Sequence, residues 1–208
     1  MSPPDLARVV ILSGPSGSGK SRLAARLHGA HGWPIVRLDD FYRDEDDPTL
    51  PMTDLGADHL VDWDDPASWD GAAAARALSV LVTTGQAQVP VYDIARSRVT
   101  GLAKVTIGAG HLVVAEGIFA AEIILRLRDE GLLHSAWCIA HNRWVTFGRR
   151  LVRDLSERRK PPHILLRRGL ALCRDEPEVI ARMERLGARG ISPARAESAL
   201  SAGRRRGA

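Results

Sequence analysis

The chain alternates between two hydrophobic periods. "ARVVILSG", "PIVRLD", "HLVVAEG" and "SAWCIA" are short apolar runs of the length expected for buried strands, and three of them close on glycine or an acid. Between them lie stretches with helical spacing. "SRLAARLHG" predicts a helix ending at Gly29, and "GAAAARALSVLVTT" predicts one capped by Asp70 and stopped by Gly85. "IFAAEIILRLRDEG" predicts a third helix. "RWVTFGRRLVRDLSERRK" predicts a long fourth, capped by Asn142 and stopped at Pro161 and Pro162. "AQVPVYD" and "AKVTIG" alternate with period two and predict a hairpin across "IARSRVTGL". Residues 43–69, acidic and broken by proline, predict a long loop with little regular structure. Residues 163–203 read as short helices without a strand.

Strands alternating with helices predict an α/β fold, a doubly wound parallel sheet covered on both faces, with ligands outside the carboxyl ends of its strands. The expected organisation is a single domain over residues 1–208. It has a core at about 7–142, a lid helix at about 143–162 and a helical C-terminal segment at 163–208.

Bulk composition adds little. The 208 residues, 45% apolar and 26% charged, suit one globular α/β domain. No run approaches 18 apolar residues, so no membrane span is expected. "MSPPDLARVVILSG" lacks a basic leader followed by a long apolar region, and Cys138 and Cys173 are widely spaced. A cytoplasmic protein with two buried thiols is therefore expected. Charge changes the picture more. Residues 1–142 carry 12 basic and 18 acidic side chains, whereas residues 143–208 carry 17 basic and 7 acidic. The basic third could cover an anionic ligand, or, with "GRRRG" at 203–207, bind nucleic acid. Its only aromatics, Trp144 and Phe147, lie near its start, which argues against stacking on single-stranded nucleic acid.

"GPSGSGKS", Gly14 to Ser21, fits G-x-x-x-x-G-K-[ST] between an apolar strand and a helix. Glycines let the backbone wrap phosphate with its N–H groups inward, and the helix offers its positive end. Lys20, one of three lysines, reaches the β- and γ-phosphates, and the Ser21 hydroxyl ligates Mg²⁺. Gly14, Ser16, Gly17, Ser18, Gly19, Lys20, Ser21 and Arg22 are the candidate nucleotide-binding residues of this P-loop NTPase-type sheet. No N-K-x-D base-recognition motif of a GTPase is present, and the chain is too small for a motor. Transfer of a phosphoryl group to a hydroxyl is left, and it needs a base near the acceptor.

Asp39 and Asp40 close the second strand, which is expected to neighbour the glycine loop. A carboxylate there can accept the proton of an attacking hydroxyl or hold Mg²⁺ through water. Strand alternation places only one of the two in the cleft, and spacing does not say which. Glu116 ends "LVVAEG" at a buried strand terminus, where an acid has to be paired or near a metal. On the long fourth helix Arg150, Asp154 and Arg158 share one face.

The ordered series "GPSGSGKS", "LDDFYR", "WDDPASWD", "VPVYDIARSR", "VVAEGIFA", "RRLVRDLSERRK" resembles the uridine–cytidine kinase family, from about Val9 to Lys160. The resemblance implies a kinase using ATP and Mg²⁺, with a helical lid, a small β-hairpin insertion and a nucleoside acceptor. By resemblance, Asp39 is the base for the 5′-hydroxyl, Tyr42 lines the acceptor pocket and Tyr92 lies at the base. Asp64 sits at the ribose and the metal's water shell, and Glu116 is the second metal-associated acid. Arg150 and Arg153 reach the acceptor and the triphosphate, Arg153 as a catalytic cation, while Arg158 and Lys160 close over the phosphates.

The family's Y-D-x-x-x-H-S-R segment is one residue shorter here, "YDIARSR", with Arg96 where its pyrimidine-contacting histidine would align and Arg98 nearby. Arginine only donates, so an anionic acceptor such as pantothenate or a sugar phosphate, or an antibiotic, competes with uridine or cytidine. The family's terminal strand is not recognisable after residue 163. The expected partner is a small-molecule acceptor, with no membrane or nucleic acid, and the oligomeric state is left open.

Overall fold

The computed structural model describes residues 9–55, 58–108, 111–140, 144, 147–148, 151–152 and 162–204. Its centre is a parallel sheet. Strand β1 (Val9–Ser13) is buried along its whole length because both of its faces are covered. Alternation divides its side chains. Val9 and Ile11 join one core with Leu78 and Leu81 of α2 (Gly71–Thr84) and Ile124 and Leu127 of α3 (Ile124–Asp129). Val10 and Leu12 join the other, against Leu23 and Leu27 of α1 (Lys20–His31).

The remaining strands of this sheet are β2 (Ile35–Arg37), β7 (Val113–Glu116), β8 (Leu133–Ile139) and β9 (Arg189–Ile191). The spatial order is β2-β7-β1-β8-β9, and every pairing is parallel. Two antiparallel pairs stand outside the main sheet: β3 (Met52–Leu55) with β4 (Asp58–Val61), and β5 (Gln86–Asp93) with β6 (Arg98–Thr106). Helices α4 (Pro162–Arg185) and α5 (Pro193–Arg204) flank β9 in the chain. The fold is the α/β parallel sheet that the sequence predicts, with the expected hairpin beside it.

Five expectations are corrected. Helix α1 does not stop at Gly29; it runs to Gly32, whose φ of +70° suits glycine and whose N–H bonds to His28 O at 2.7 Å. Strand β2 neighbours β7 rather than β1, so Glu116, not the Asp39 segment, ends the strand beside the glycine loop. The acidic stretch 43–69 contains the β3–β4 pair and a short 3-10 turn at Pro66–Ser68. The third helix is shorter than expected, a 3-10 turn at Ala120–Ile123 leading into α3. Residues 163–203 are not strandless, since β9 pairs with β8 from Trp137↔Arg189 to Ile139↔Ile191. Three residues are too few for a periodic signal, and the strand forms because an open sheet edge stands ready for it.

Asp70 caps α2 by accepting the N–H of Ala73 at 2.7 Å, and Gly85 ends the helix at φ +80°, as predicted. Cys138 and Cys173 are buried and unbridged. Among the described residues no helix is long and apolar enough to cross a membrane.

Candidate functional site

The loop Gly14–Gly19 leaves the carboxyl end of β1 and enters α1 at Lys20. Gly14 has φ +142°, and a Cβ there would collide with the carbonyl oxygen of Ile139 at the end of β8. Only glycine lets the loop turn this tightly against the neighbouring strand. Gly17 and Gly19 also have positive φ, and Gly19 caps α1 without a side-chain bond, so the helix presents its first N–H groups to the loop. Lys20 is buried, its ammonium donating to Gly14 O at 2.8 Å and Pro15 O at 3.2 Å. Ser18 is fully buried, and its Oγ has no hydrogen-bond partner among the described residues. Ser16 is half-buried in the loop, and Ser21 and Arg22 stand exposed on the first turn of α1.

Glu116 closes β7 one strand away from the loop, paired in register with Leu12 of β1 and Arg37 of β2. It is buried, and its Oε2 has no partner among the described residues. Burial pushes its carboxyl above the usual range; the Lys20 ammonium opposes this, Asp39 adds to it, and the Ser21 hydroxyl and Arg37 favour the charged form. These causes place Lys20, Ser21, Asp39 and Glu116 in one electrostatic neighbourhood. The chain turns after β2 into a 3-10 segment, Leu38–Phe41, and this separates the two acids. Asp39 Oδ1 accepts the N–H of Ile118 at 2.9 Å and lies over Gly117, directly after Glu116. Asp40 faces Arg37 at 3.9 Å and the backbone of Tyr92; burial raises its pKa, and Arg37 opposes the rise. Asp39 therefore belongs to the cleft, and Asp40 to the packing beside it.

No three His, Cys, Asp or Glu side chains converge as a metal cage among the described residues. A magnesium ion does not need one, because it is usually held by one or two carboxylates together with substrate phosphates. The unpartnered Glu116 Oε2 and the Ser21 hydroxyl, both hard oxygen donors, fit such an ion.

Aromatic side chains cluster beside these acids. The Tyr42 ring lies 5.8 Å from Trp63, 5.8 Å from Tyr92 and 5.9 Å from Phe119, which in turn lies 6.1 Å from Trp69. The Tyr42 hydroxyl donates to Trp63 O at 3.2 Å, and burial, Asp39 and Asp64 all hold it protonated. Asp64 thus stands near the Tyr42 phenol. Tyr92 donates to Arg43 O at 3.2 Å, and burial with Asp44 and Glu45 pushes its phenol up to about 12. Trp63, Trp69 and Phe119 are absent from the residues the sequence singles out. Their signal was available, because aromatic residues are scarce in this chain and Trp63 and Phe119 sit within three residues of predicted site acids.

Of the cations predicted at the acceptor, the two that are described each face a nearby carboxylate. Arg96 is exposed in the β5–β6 turn and faces Asp93 at 3.6 Å, and Arg98 pairs with Asp46 at 3.3 Å. Arg150, Arg153, Arg158 and Lys160 lie outside the described residues, as do Asn142 and Asp154.

A family model described as an AAA domain matches residues 9–117, the span from β1 to the residue after Glu116. No curated protein matches the sequence. Among solved structures, a candidate fructose transport system kinase from Silicibacter sp. TM1040 superposes with a TM-score of 0.64 at 20% identity, covering 92% of this chain and 89% of that one. A candidate uridine kinase from Bacillus stearothermophilus gives 0.47 at 16% identity, covering 68% and 74%. D-glycerate 3-kinase from Cryptococcus neoformans var. grubii gives 0.37 at 21% identity, covering 62% and 50%. At 20% identity the first of these likenesses is one of fold alone, an α/β P-loop NTPase fold. With a glycine loop at the end of β1 and an acid at the end of β7, both inside the matched span, the chain belongs to the AAA domain family.

Proposed function

We propose that the protein is a small-molecule kinase that moves the γ-phosphoryl group of ATP to a hydroxyl of its acceptor, a nucleoside such as uridine or cytidine being favoured. The observation that carries this reading is the meeting of Lys20, Ser21, Glu116 and Asp39 at the carboxyl ends of adjacent strands, with the buried Glu116 Oε2 lacking a partner among the described residues. Glycine loops serve many reactions. A second carboxylate facing the same point is what phosphoryl transfer to a hydroxyl adds.

In this reading the loop N–H groups and the α1 N-terminus hold the phosphates, and Lys20 leaves its two carbonyl partners to neutralise the β- and γ-oxygens. Magnesium, held by Ser21 and Glu116, would supply charge neutralisation between the β- and γ-phosphates. Asp39, anchored through Oδ1 to the Ile118 N–H, orients the acceptor hydroxyl with its other oxygen and takes its proton. Tyr42, Trp63, Phe119 and Tyr92 offer aromatic faces to a flat or ring-shaped acceptor, with Asp64 beside the Tyr42 phenol. Arg150, Arg153, Arg158 and Lys160 would complete the charge stabilisation as a lid.

The competing reading, an anionic acceptor, rested on Arg96. In the fold each guanidinium has a carboxylate beside it, Arg96 with Asp93 and Arg98 with Asp46, which weakens that support without removing it, because both pairs are exposed.

The test is Asp39→Asn, assayed by ATP consumption with uridine, cytidine, fructose and D-glycerate. Turnover with the productive acceptor should fall by at least about 100-fold while ATP binding stays within about twofold. Unchanged turnover would remove Asp39 from the mechanism.

A further inference from the structure

The β5–β6 hairpin is not part of the main sheet, so its turn is not located by sheet pairing. Its base is anchored by buried Ala87 and Val89. Its tip is anchored by polar bonds to one short segment, the residues that follow Asp39 and Tyr42. The Asp44 carboxylate accepts the N–H of Val99 at 2.7 Å, and the Glu45 N–H donates to Ser97 O at 2.9 Å. Arg98 reaches Asp46 at 3.3 Å, and the Tyr92 hydroxyl donates to Arg43 O at 3.2 Å. Val99 is the register partner of Tyr92, next to the irregularity between Val91 and Tyr92. The Asp44 bond therefore acts on the rung that carries the Tyr92 ring.

That turn is strained as well as tethered. Asp93 accepts the N–H groups of Ala95 and Arg96, and Ser97 follows at φ +47°, a left-handed conformation that a non-glycine residue holds only when its surroundings enforce it. The Glu45–Ser97 bond is part of that enforcement.

We infer that Asp44 is a positioning residue for the acceptor: by holding Val99 it fixes the Tyr92 rung against Tyr42 and so sets the width of the aromatic wall. Among these tethers Asp44 has the most leverage. Its bond is charge-assisted and half-buried, whereas the Arg98–Asp46 pair is exposed and contributes little. The inference rests on the proposed kinase reading, because the wall matters only if an acceptor sits there. It also gives the acids after Phe41 a role that does not involve phosphate, since Asp47 likewise is spent locally on Thr49 and Arg43.

The experiment compares wild type, Asp44→Ala and Asp44→Asn with whichever of uridine, cytidine, fructose and D-glycerate the wild type phosphorylates fastest. Asp44→Ala should raise the acceptor KM about tenfold while kcat and the ATP KM stay within about twofold. Asp44→Asn keeps a carbonyl oxygen for the Val99 N–H and should recover most of the acceptor affinity. In parallel, exchange of the Val99 amide with solvent should quicken in Asp44→Ala and not in Asp44→Asn. An unchanged acceptor KM in Asp44→Ala, or a fall in kcat and a rise in both KM values together, overturns the positioning role while leaving the kinase reading intact. A wild type that phosphorylates none of the four acceptors overturns the kinase reading, and the positioning role with it.

Discussion

Glu116 combines two properties that oppose each other at the level of a single side chain. It is buried with an unpartnered oxygen, which costs stability, and it faces Lys20 and Ser21, where a charged oxygen is useful. Because burial raises its pKa above the ordinary 4.5, the folded chain holds that proton more tightly than the unfolded chain. The Glu116 contribution to stability therefore falls as pH rises from about 4.5 through the raised value, and is fully lost above it. Glu116→Gln removes this slope. The nucleotide-free variant should melt higher at neutral pH, by about 2–4 °C for each kcal/mol recovered in a chain of this size. Its demand for magnesium during turnover should rise by about tenfold or more. Thermal melts at pH 4.5 and 7.5 together with a magnesium titration check both; an equal or lower melting temperature at pH 7.5 would mean that the unpartnered oxygen carries no cost. At the same scale, the side-by-side acids Asp39 and Asp40 look interchangeable in sequence. They diverge because the 3-10 turn rotates one toward Gly117 and the other toward Arg37.

Helix ends show where local signals suffice and where they do not. Asp70 and Gly85 were legible as the ends of α2, since a carboxylate before an alanine run and a glycine after it act within one turn. Gly29 was misread as the end of α1 because the same residue type can sit inside a helix. No heavy atom lies within 4 Å of a Cβ built there, so Gly29→Ala should stabilise the protein by about 0.5–1 kcal/mol, through helix propensity alone. Gly32→Ala should cost about 1 kcal/mol, because that residue holds φ +70°. Chemical denaturation of the two variants gives opposite signs if α1 ends at Gly32, and the reverse pair of signs if it ends at Gly29. The acidic stretch after Phe41 carries the same lesson. Asp44 and Asp46 are partnered with an amide and an arginine far away in sequence, so no pattern within the stretch discloses the hairpin docking.

Across the whole molecule, the C-terminal segment is part of the core rather than an appendage. β9 extends the parallel sheet, and Ala196 and Leu200 of α5 pack in the same cluster as Leu12, Leu23 and Leu27. Leu200 is 3% exposed. Leu200→Ala should therefore cost about 2–3 kcal/mol and lower the melting temperature by roughly 5–10 °C. An unchanged melting temperature would show that α5 does not dock on α1. The mixed charge of the molecule also resolves at this scale. Several arginines on its surface are matched by acids distant in sequence, Arg26 with Glu197 at 2.9 Å and Arg182 with Glu122 at 2.8 Å. Only the Arg182–Glu122 pair offsets the basic character of the C-terminal third; the Arg26–Glu197 pair engages one of its acids and ties it to α1.

What the amino-acid sequence determined by itself was whatever acts over a few residues or through a strict period: the glycine loop, the fully apolar β1, the cap of α2 and the placing of acids at strand ends. Tertiary structure alone decided which strands became neighbours, which of Asp39 and Asp40 faces the cleft, and which carboxylate holds Arg98. It also decided that a three-residue strand would form at the sheet edge. The physical reason is the range of the interactions. Backbone sterics and capping bonds are complete within one turn, whereas sheet order and ion pairing depend on groups brought together only once the chain has closed on itself.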